Sequence, residues 1–218
     1  MSVTERPLSR LRSAVERGLR VRSGEQCEMC AVPIAPEHRH VVDTDERSLK
    51  CLCQPCFLLF SEAGAGEGRF RQVPSRYVEL ASVGLPDALW DDLAIPVSLA
   101  FFFHNSSQDR AVAFYPGPAG ATESLLPLDA WQRVLDANPS FAATEADVEA
   151  VMVRRGREAT ECFVVPIDAC YELAGRLRMH WSGFDGGAEA HAEIESFFTA
   201  VRKKSRRTGA RGQRGDGA

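Results

Sequence analysis

The sequence predicts an α+β protein in two unequal parts: a small N-terminal module of zinc-ribbon or treble-clef type, and a larger α+β domain with a short antiparallel sheet covered by helices. Three observations carry this. Five of the seven cysteines fall between residues 27 and 56. Beyond residue 75, apolar runs of strand length mix with segments of helical period without strict alternation. Between these regions lies EAGAGEGR, which has the glycine-rich polar composition of a linker or exposed loop.

The elements can be justified in chain order. Residues 1–23 place Leu8, Leu11, Val15 and Leu19 three or four apart with arginines between them, which predicts an amphipathic helix over 9–22 that docks on the rest of the chain. Residues 24–62 form the cysteine-rich module, in which Phe57-Leu58-Leu59-Phe60 begins a short helix, and residues 63–74 form the linker. Within the domain at 75–201, Pro96–His104 (PVSLAFFFH) and Ala111–Tyr115 read as two strands of a hairpin turned at NSSQDR. The small-residue stretch YPGPAGATES reads as a rigid loop. Leu128–Ala137 has helical periodicity and stops at Asn138-Pro139. Thr144, with Asp147 three residues on, resembles a capping box and predicts a helix to about Arg155. Glu161–Val165 is a further strand. Asp168–His180 and Ala188–Lys204 are helices separated by SGFDGG, and Asp168 after Pro166 reads as the N-cap of the first. Residues 202–218 form a basic, solvated tail.

Composition narrows the function classes. A chain of 218 residues with 44% hydrophobic and 26% charged residues has ordinary globular usage. No stretch reaches the 18 uncharged apolar residues of a membrane helix and the N-terminus has no signal-peptide core, so the expected location is the cytoplasm, where thiols stay reduced. The first 22 residues carry six Arg against Glu5 and Glu16, and Arg202–Ala218 carries seven basic residues against Asp216. With a net charge of −4, the body between them is strongly acidic. Nucleic acid is therefore an expected partner only through the basic tail.

The chemistry concentrates in the cysteines. Cys27-Glu28-Met29-Cys30 and Cys53-Gln54-Pro55-Cys56 each space two sulfurs to meet one ion from a tight backbone knuckle, and two knuckles complete a tetrahedron. Zinc is the expected ion. Rubredoxin-like iron and iron–sulfur clusters use the same thiolates and stay open as alternatives. Cys51, His38 and His40 remain over. In an extended segment His38 and His40 share a face continued by Val42, so they join Cys51 in a second site, replace one thiolate in the first, brace a knuckle by hydrogen bonding to a sulfur, or sit at the surface. In the larger domain Cys162 and Cys170 read as core residues. No Ser/His/Asp order, paired-carboxylate motif or nucleotide fingerprint stands out.

Taken together, the CxxC, the HxH, the CxCxxC followed by LLF, YPGPAGATES, PIDACY and HWSGFDGG resemble an actinobacterial family of no established activity that is encoded beside high-affinity, hydrogen-scavenging [NiFe] hydrogenases. The resemblance runs from Cys27 to about Phe198. Its motif positions are Cys27, Cys30, His38, His40, Cys51, Cys53 and Cys56 in the module, and Tyr115, Glu123, Asp168, Cys170 and His180 in the domain. The family would lead one to expect an aromatic residue near His191, a departure that argues against carrying a role over to His191. What the resemblance implies is a non-enzymatic, metal-binding accessory or maturation protein whose partners are hydrogenase subunits or maturation factors, with a rubredoxin-like or iron–sulfur electron-transfer partner of the hydrogenase as the alternative.

Overall fold

The computed structural model of the chain describes residues 25–207, apart from Ala63, Ser82, Ala119, Leu125, Arg157, Glu158, Phe184 and Asp185. The helix expected over 9–22 and the tail from residue 208 onward lie outside the described residues. The chain is a mixed α+β protein with two sheets and, among the described residues, five α-helices.

The smaller sheet has the order β2-β1-β3, from β1 (Arg39–Asp43), β2 (Ser48–Leu52) and β3 (Phe70–Gln72). β1 and β2 form an antiparallel hairpin that sets His40 opposite Cys51 and Val42 opposite Leu49. Side chains alternate across a strand. One face of the hairpin therefore buries Val41 and Leu52 with Cys27 and Phe57 in a small cluster. The other face turns Val42 and Leu49 into the core of the larger domain. Residues 63–74, expected as a linker, hold a short 3-10 turn (Ala65–Gly68) and β3, which pairs with β1.

The larger sheet is not the short one expected. It has seven strands in the order β10-β4-β9-β8-β5-β6-β7: β4 (Val78–Glu79), β5 (Leu99–Asn105), β6 (Arg110–Gly117), β7 (Gly120–Ser124), β8 (Glu149–Arg155), β9 (Thr160–Pro166) and β10 (Arg206–Arg207). All pairs are antiparallel except β10–β4. Three strands lay where other structure was expected: β10 takes Arg206–Arg207 of the expected tail and pairs with β4, and β7 and β8 fall within the domain. β7 takes the end of YPGPAGATES, returning from β6 through a tight turn at Gly120, whose φ of 107° suits glycine. β8 replaces the helix expected from Thr144 to Arg155. It runs centrally between β5 and β9, so all of Glu149–Val153 is buried, and a continuous apolar run on a doubly covered strand has no period to separate it from a buried helix.

Helices cover both faces of this sheet. Phe101, Met152, Phe163 and Val165 point to one face, under α4 (Ile167–His180) and α5 (Gly187–Lys204), which bring Leu173, Leu177, Phe197 and Phe198. Ala100, Phe102, Val151, Val153 and Val164 point to the other, under α2 (Asp87–Asp92), α3 (Leu128–Ala137) and the 3-10 turn Pro139–Ala143, which bring Trp90, Val134 and Phe141. Val73, which follows β3, lies with Val42 in the domain's core, and the segment that leads from β3 into β4 is fixed by ion pairs. The Arg76 guanidinium donates to both carboxylate oxygens of Glu149, at 2.5 and 2.6 Å, and Glu149 is only 1% exposed. Arg71 reaches Asp147 at 3.0 Å and Glu145 at 3.1 Å.

Candidate metal centre

The first knuckle is a backbone turn. The Cys27 N–H donates to the Val32 carbonyl and the Cys27 carbonyl accepts from the Ala31 N–H, both at 2.8 Å, taking Ala31 to a φ of 59°. Glu28 anchors the turn to the hairpin: its N–H donates to the Cys51 carbonyl at 2.9 Å and its carboxylate accepts from the Cys51 N–H at 2.6 Å. The second knuckle opens α1 (Gln54–Phe60). Cys53 is the N-cap residue, and Pro55 sits in the first turn, where its missing N–H costs no helical bond.

Together the knuckles bring one sulfur each from Cys27, Cys30, Cys53 and Cys56 within 4.8 Å of one another. The Sγ atoms of Cys30 and Cys53 are 3.6 Å apart. Two sulfurs about 2.3 Å from one tetrahedral ion lie about 3.8 Å apart, whereas a disulfide holds its sulfurs near 2.05 Å. The spacing therefore fits a shared ion, such as zinc. The electrostatics agree. Although burial raises the Cys27 thiol, backbone N–H groups of Cys53, Cys30 and Met29 directed at its sulfur bring it down to about 6. Burial and the neighbouring sulfurs push Cys56 up to about 12. Four crowded thiols cannot all ionise by themselves; a dication removes that conflict.

His38, His40 and Cys51 are not part of that tetrahedron. They form a group of their own, with one ligand atom from each within 4.8 Å of the others. The imidazole rings meet edge to face at 4.6 Å between centroids. The His38 Nδ1 lies 2.9 Å from the Ala35 carbonyl, and the His40 Nδ1 lies 2.9 Å from an Asp168 carboxylate oxygen. Asp168, expected as an N-cap, instead lies in the first turn of α4, whose N-cap residue is Pro166, and makes no side-chain cap bond there. Its partner is 128 positions away, so no local spacing signals the contact.

The other motif positions lie apart from these groups. Tyr115 on β6 packs at the edge of the core on the α2–α3 side, and Glu123 on β7 reaches Arg110 at 3.4 Å. Cys170 lies on the buried face of α4, and burial raises its thiol steeply; Cys162, on β9, is pushed up to about 12 in the same way. His180 ends α4 at 3.8 Å from Glu189. Among the described residues, the groups able to surround a metal ion are the four cysteines and the His38–His40–Cys51 set. No helix among the described residues is long and apolar enough to cross a membrane.

No curated protein and no solved structure matches the chain. A family model does, over residues 26–205, which takes in both cysteine knuckles and nearly all of the larger domain. The chain belongs to that family, DUF5947, a family of unknown function.

Proposed function

We propose that this member of DUF5947 is a metal-binding, non-enzymatic accessory or maturation protein of a [NiFe] hydrogenase, located in the cytoplasm, whose four cysteines hold one structural zinc in a treble-clef-like module. The observation that carries the metal half is the convergence of Cys27, Cys30, Cys53 and Cys56 within 4.8 Å. The order of knuckle, β1–β2 hairpin, knuckle and α1 supports the treble-clef reading. The small cluster around Val41, Leu52 and Phe57 is too slight to order this segment unaided, so metal binding and local folding are one process. The hydrogenase half rests on the sequence resemblance. An assembly role suits a chain whose two cysteine knuckles converge at the surface, with Cys30 exposed.

Elemental analysis of anaerobically purified protein tests the metal, and hydrogen uptake with native-gel hydrogenase staining in a deletion strain tests the role. Zinc in the protein, together with loss of assembled hydrogenase in the strain, is the expected pair of results. Normal uptake and normal assembly overturn the accessory role. One observation favours a second reading: Cys30 is exposed, so an iron held by these thiolates would lie close to the surface, as electron transfer requires. Iron with a visible chromophore, and assembled hydrogenase unable to pass electrons onward, would select that reading.

A further inference from the structure

We propose that His38, His40 and Cys51 form a second metal site, separate from the tetrathiolate and open in coordination, that takes one divalent first-row transition metal and leaves a position for water or a small anion. The argument begins with protons. The Ala35 carbonyl and the Asp168 carboxylate can only accept hydrogen bonds, so the Nδ1 atoms of His38 and His40 carry the hydrogens. In each neutral ring the lone pair is then on Nε2. Metal-ligating histidines are prepared in this way, with the far nitrogen donating to a carbonyl or a carboxylate.

The His38 Nε2 supplies the independent sign that something belongs there. The His38 side chain is 8% exposed, and its Nε2 is buried with no hydrogen-bond partner. A buried acceptor left in that state is costly. A metal ion shared with His40 and Cys51 would give it a partner, since the three residues each bring a ligand atom within 4.8 Å of the others and the hairpin register sets His40 opposite Cys51. The donor set of two imidazoles and one thiolate suits zinc and its divalent neighbours. Binding releases the Cys51 thiol proton.

Three protein ligands leave a tetrahedral ion one position short, the mark of sites that bind water or an exogenous ligand. A cavity of about 450 Å³ reaches His38 and His40 but not Cys51, so the open position lies on the imidazole side. Lys204 and Tyr77 line the same cavity, with the Lys204 ammonium 5.2 Å from the centre of the Tyr77 ring. A cation there favours an anionic fourth ligand. Because Asp168 belongs to α4 and the ligands to the module, occupancy of this site would also tie the two parts of the chain together.

The test uses the full chain carrying one equivalent of zinc and titrates cobalt(II) alone, followed by azide. The expected result is uptake of one further equivalent with a single-thiolate charge-transfer band, and a shift of the visible cobalt bands when azide is added. His38→Ala and Cys51→Ser should abolish the second equivalent while the first zinc is retained, which also shows that the module is folded. Asp168→Asn should weaken the second equivalent about 10- to 100-fold and keep its stoichiometry. Retention of the second equivalent in both His38→Ala and Cys51→Ser, or failure of the wild-type chain to take it up, overturns the site. A cobalt spectrum indifferent to azide overturns the open position. Failure of the tetrathiolate reading would show instead as absence of the first equivalent, so the two are distinguishable.

Discussion

The cysteine module and the larger domain reach order by opposite routes. The domain covers both faces of a seven-stranded sheet, and Phe102, Phe163, Phe198, Leu173 and Met152 are almost wholly withdrawn from water. The module's own cluster has four buried residues, one of them the candidate ligand Cys27. What it lacks in apolar burial it replaces with crowded thiols on stiff knuckles and with borrowed packing, since Val42 and Val73 belong to the domain's core. A short chain segment can hold a fixed shape if an ion supplies the cohesion that area cannot.

The sharpest way to break this comparison is to deny the four cysteines the ion proposed for them. Cys53→Ser, or chelation of the wild type, should unfold the module while the sheet and its helices persist, because structural zinc contributes an apparent ~10–16 kcal/mol of folding free energy. Amide NMR read separately over the two regions checks this. Simultaneous loss of both would show that the shared residues Val42 and Val73 couple them fully.

The converse variant acts on the other side. Phe102 is 1% exposed and stacks on Trp131 with ring centroids 5.0 Å apart. Phe102→Ala should cost the domain about 3–5 kcal/mol in denaturant unfolding. Zinc content should stay at the wild-type value. A loss of zinc in this variant would mean that the knuckles depend on the domain's core.

The two regions also differed in how much of them could be read in advance. Each CxxC carries its meaning within four residues, so the convergence of the four cysteines was legible from spacing alone, whereas the helix expected to begin at Phe57 starts at Gln54 and ends at Phe60. In the domain, Leu128–Ala137 and the last two helices were legible because each keeps a polar face. β8 was not, because Glu149–Val153 is buried on both sides and the helical signals around Thr144 and Asp147 were stronger than its apolar run. Asp147 instead sits at a φ of 64°, held by bonds from the Ser106 N–H and hydroxyl. The pairing of His40 with Asp168 was hidden for another reason: only the docking of the hairpin face on α4 brings the two together.

A smaller effect probes the segment that leads from the smaller sheet into the larger one. Glu149 accepts both bonds from Arg76 and a third from the Glu145 N–H at 2.9 Å, so Arg76→Ala leaves a buried carboxylate short of its charged partner. The expected cost is about 2 kcal/mol, because hydrogen bonds to charged groups are worth about 1.5–3 kcal/mol and Arg76 is half exposed. Arg76→Lys should recover part of it, since an ammonium keeps the charge but loses the paired geometry. If Arg76→Ala destabilises only the domain, the segment is an anchor for the sheet; if it also lowers the zinc affinity, the segment transmits to the knuckles.

The smallest expected effect separates the module's ion pairs from its metal. Asp43 is 1% exposed and accepts two bonds from Arg69, at 2.8 and 2.6 Å. Hydrogen bonding from Arg69 holds its carboxyl below the usual carboxylate range, against the opposing effect of burial. A depressed carboxyl contributes stability that is present above its unfolded value, near 3.8, and is lost as the pH falls through the lower folded value. The module should therefore lose stability in that acid window through Asp43 in addition to whatever acid does to the thiolates. Asp43→Asn keeps the shape of the side chain but removes the titrating group, so its unfolding free energy should fall less steeply below pH 4 than that of the wild type. Equal slopes in the two proteins, measured by denaturant titration at fixed zinc, would mean that Arg69 leaves Asp43 no more acidic than in the unfolded chain. In that case the thiolates alone would set the module's response to acid.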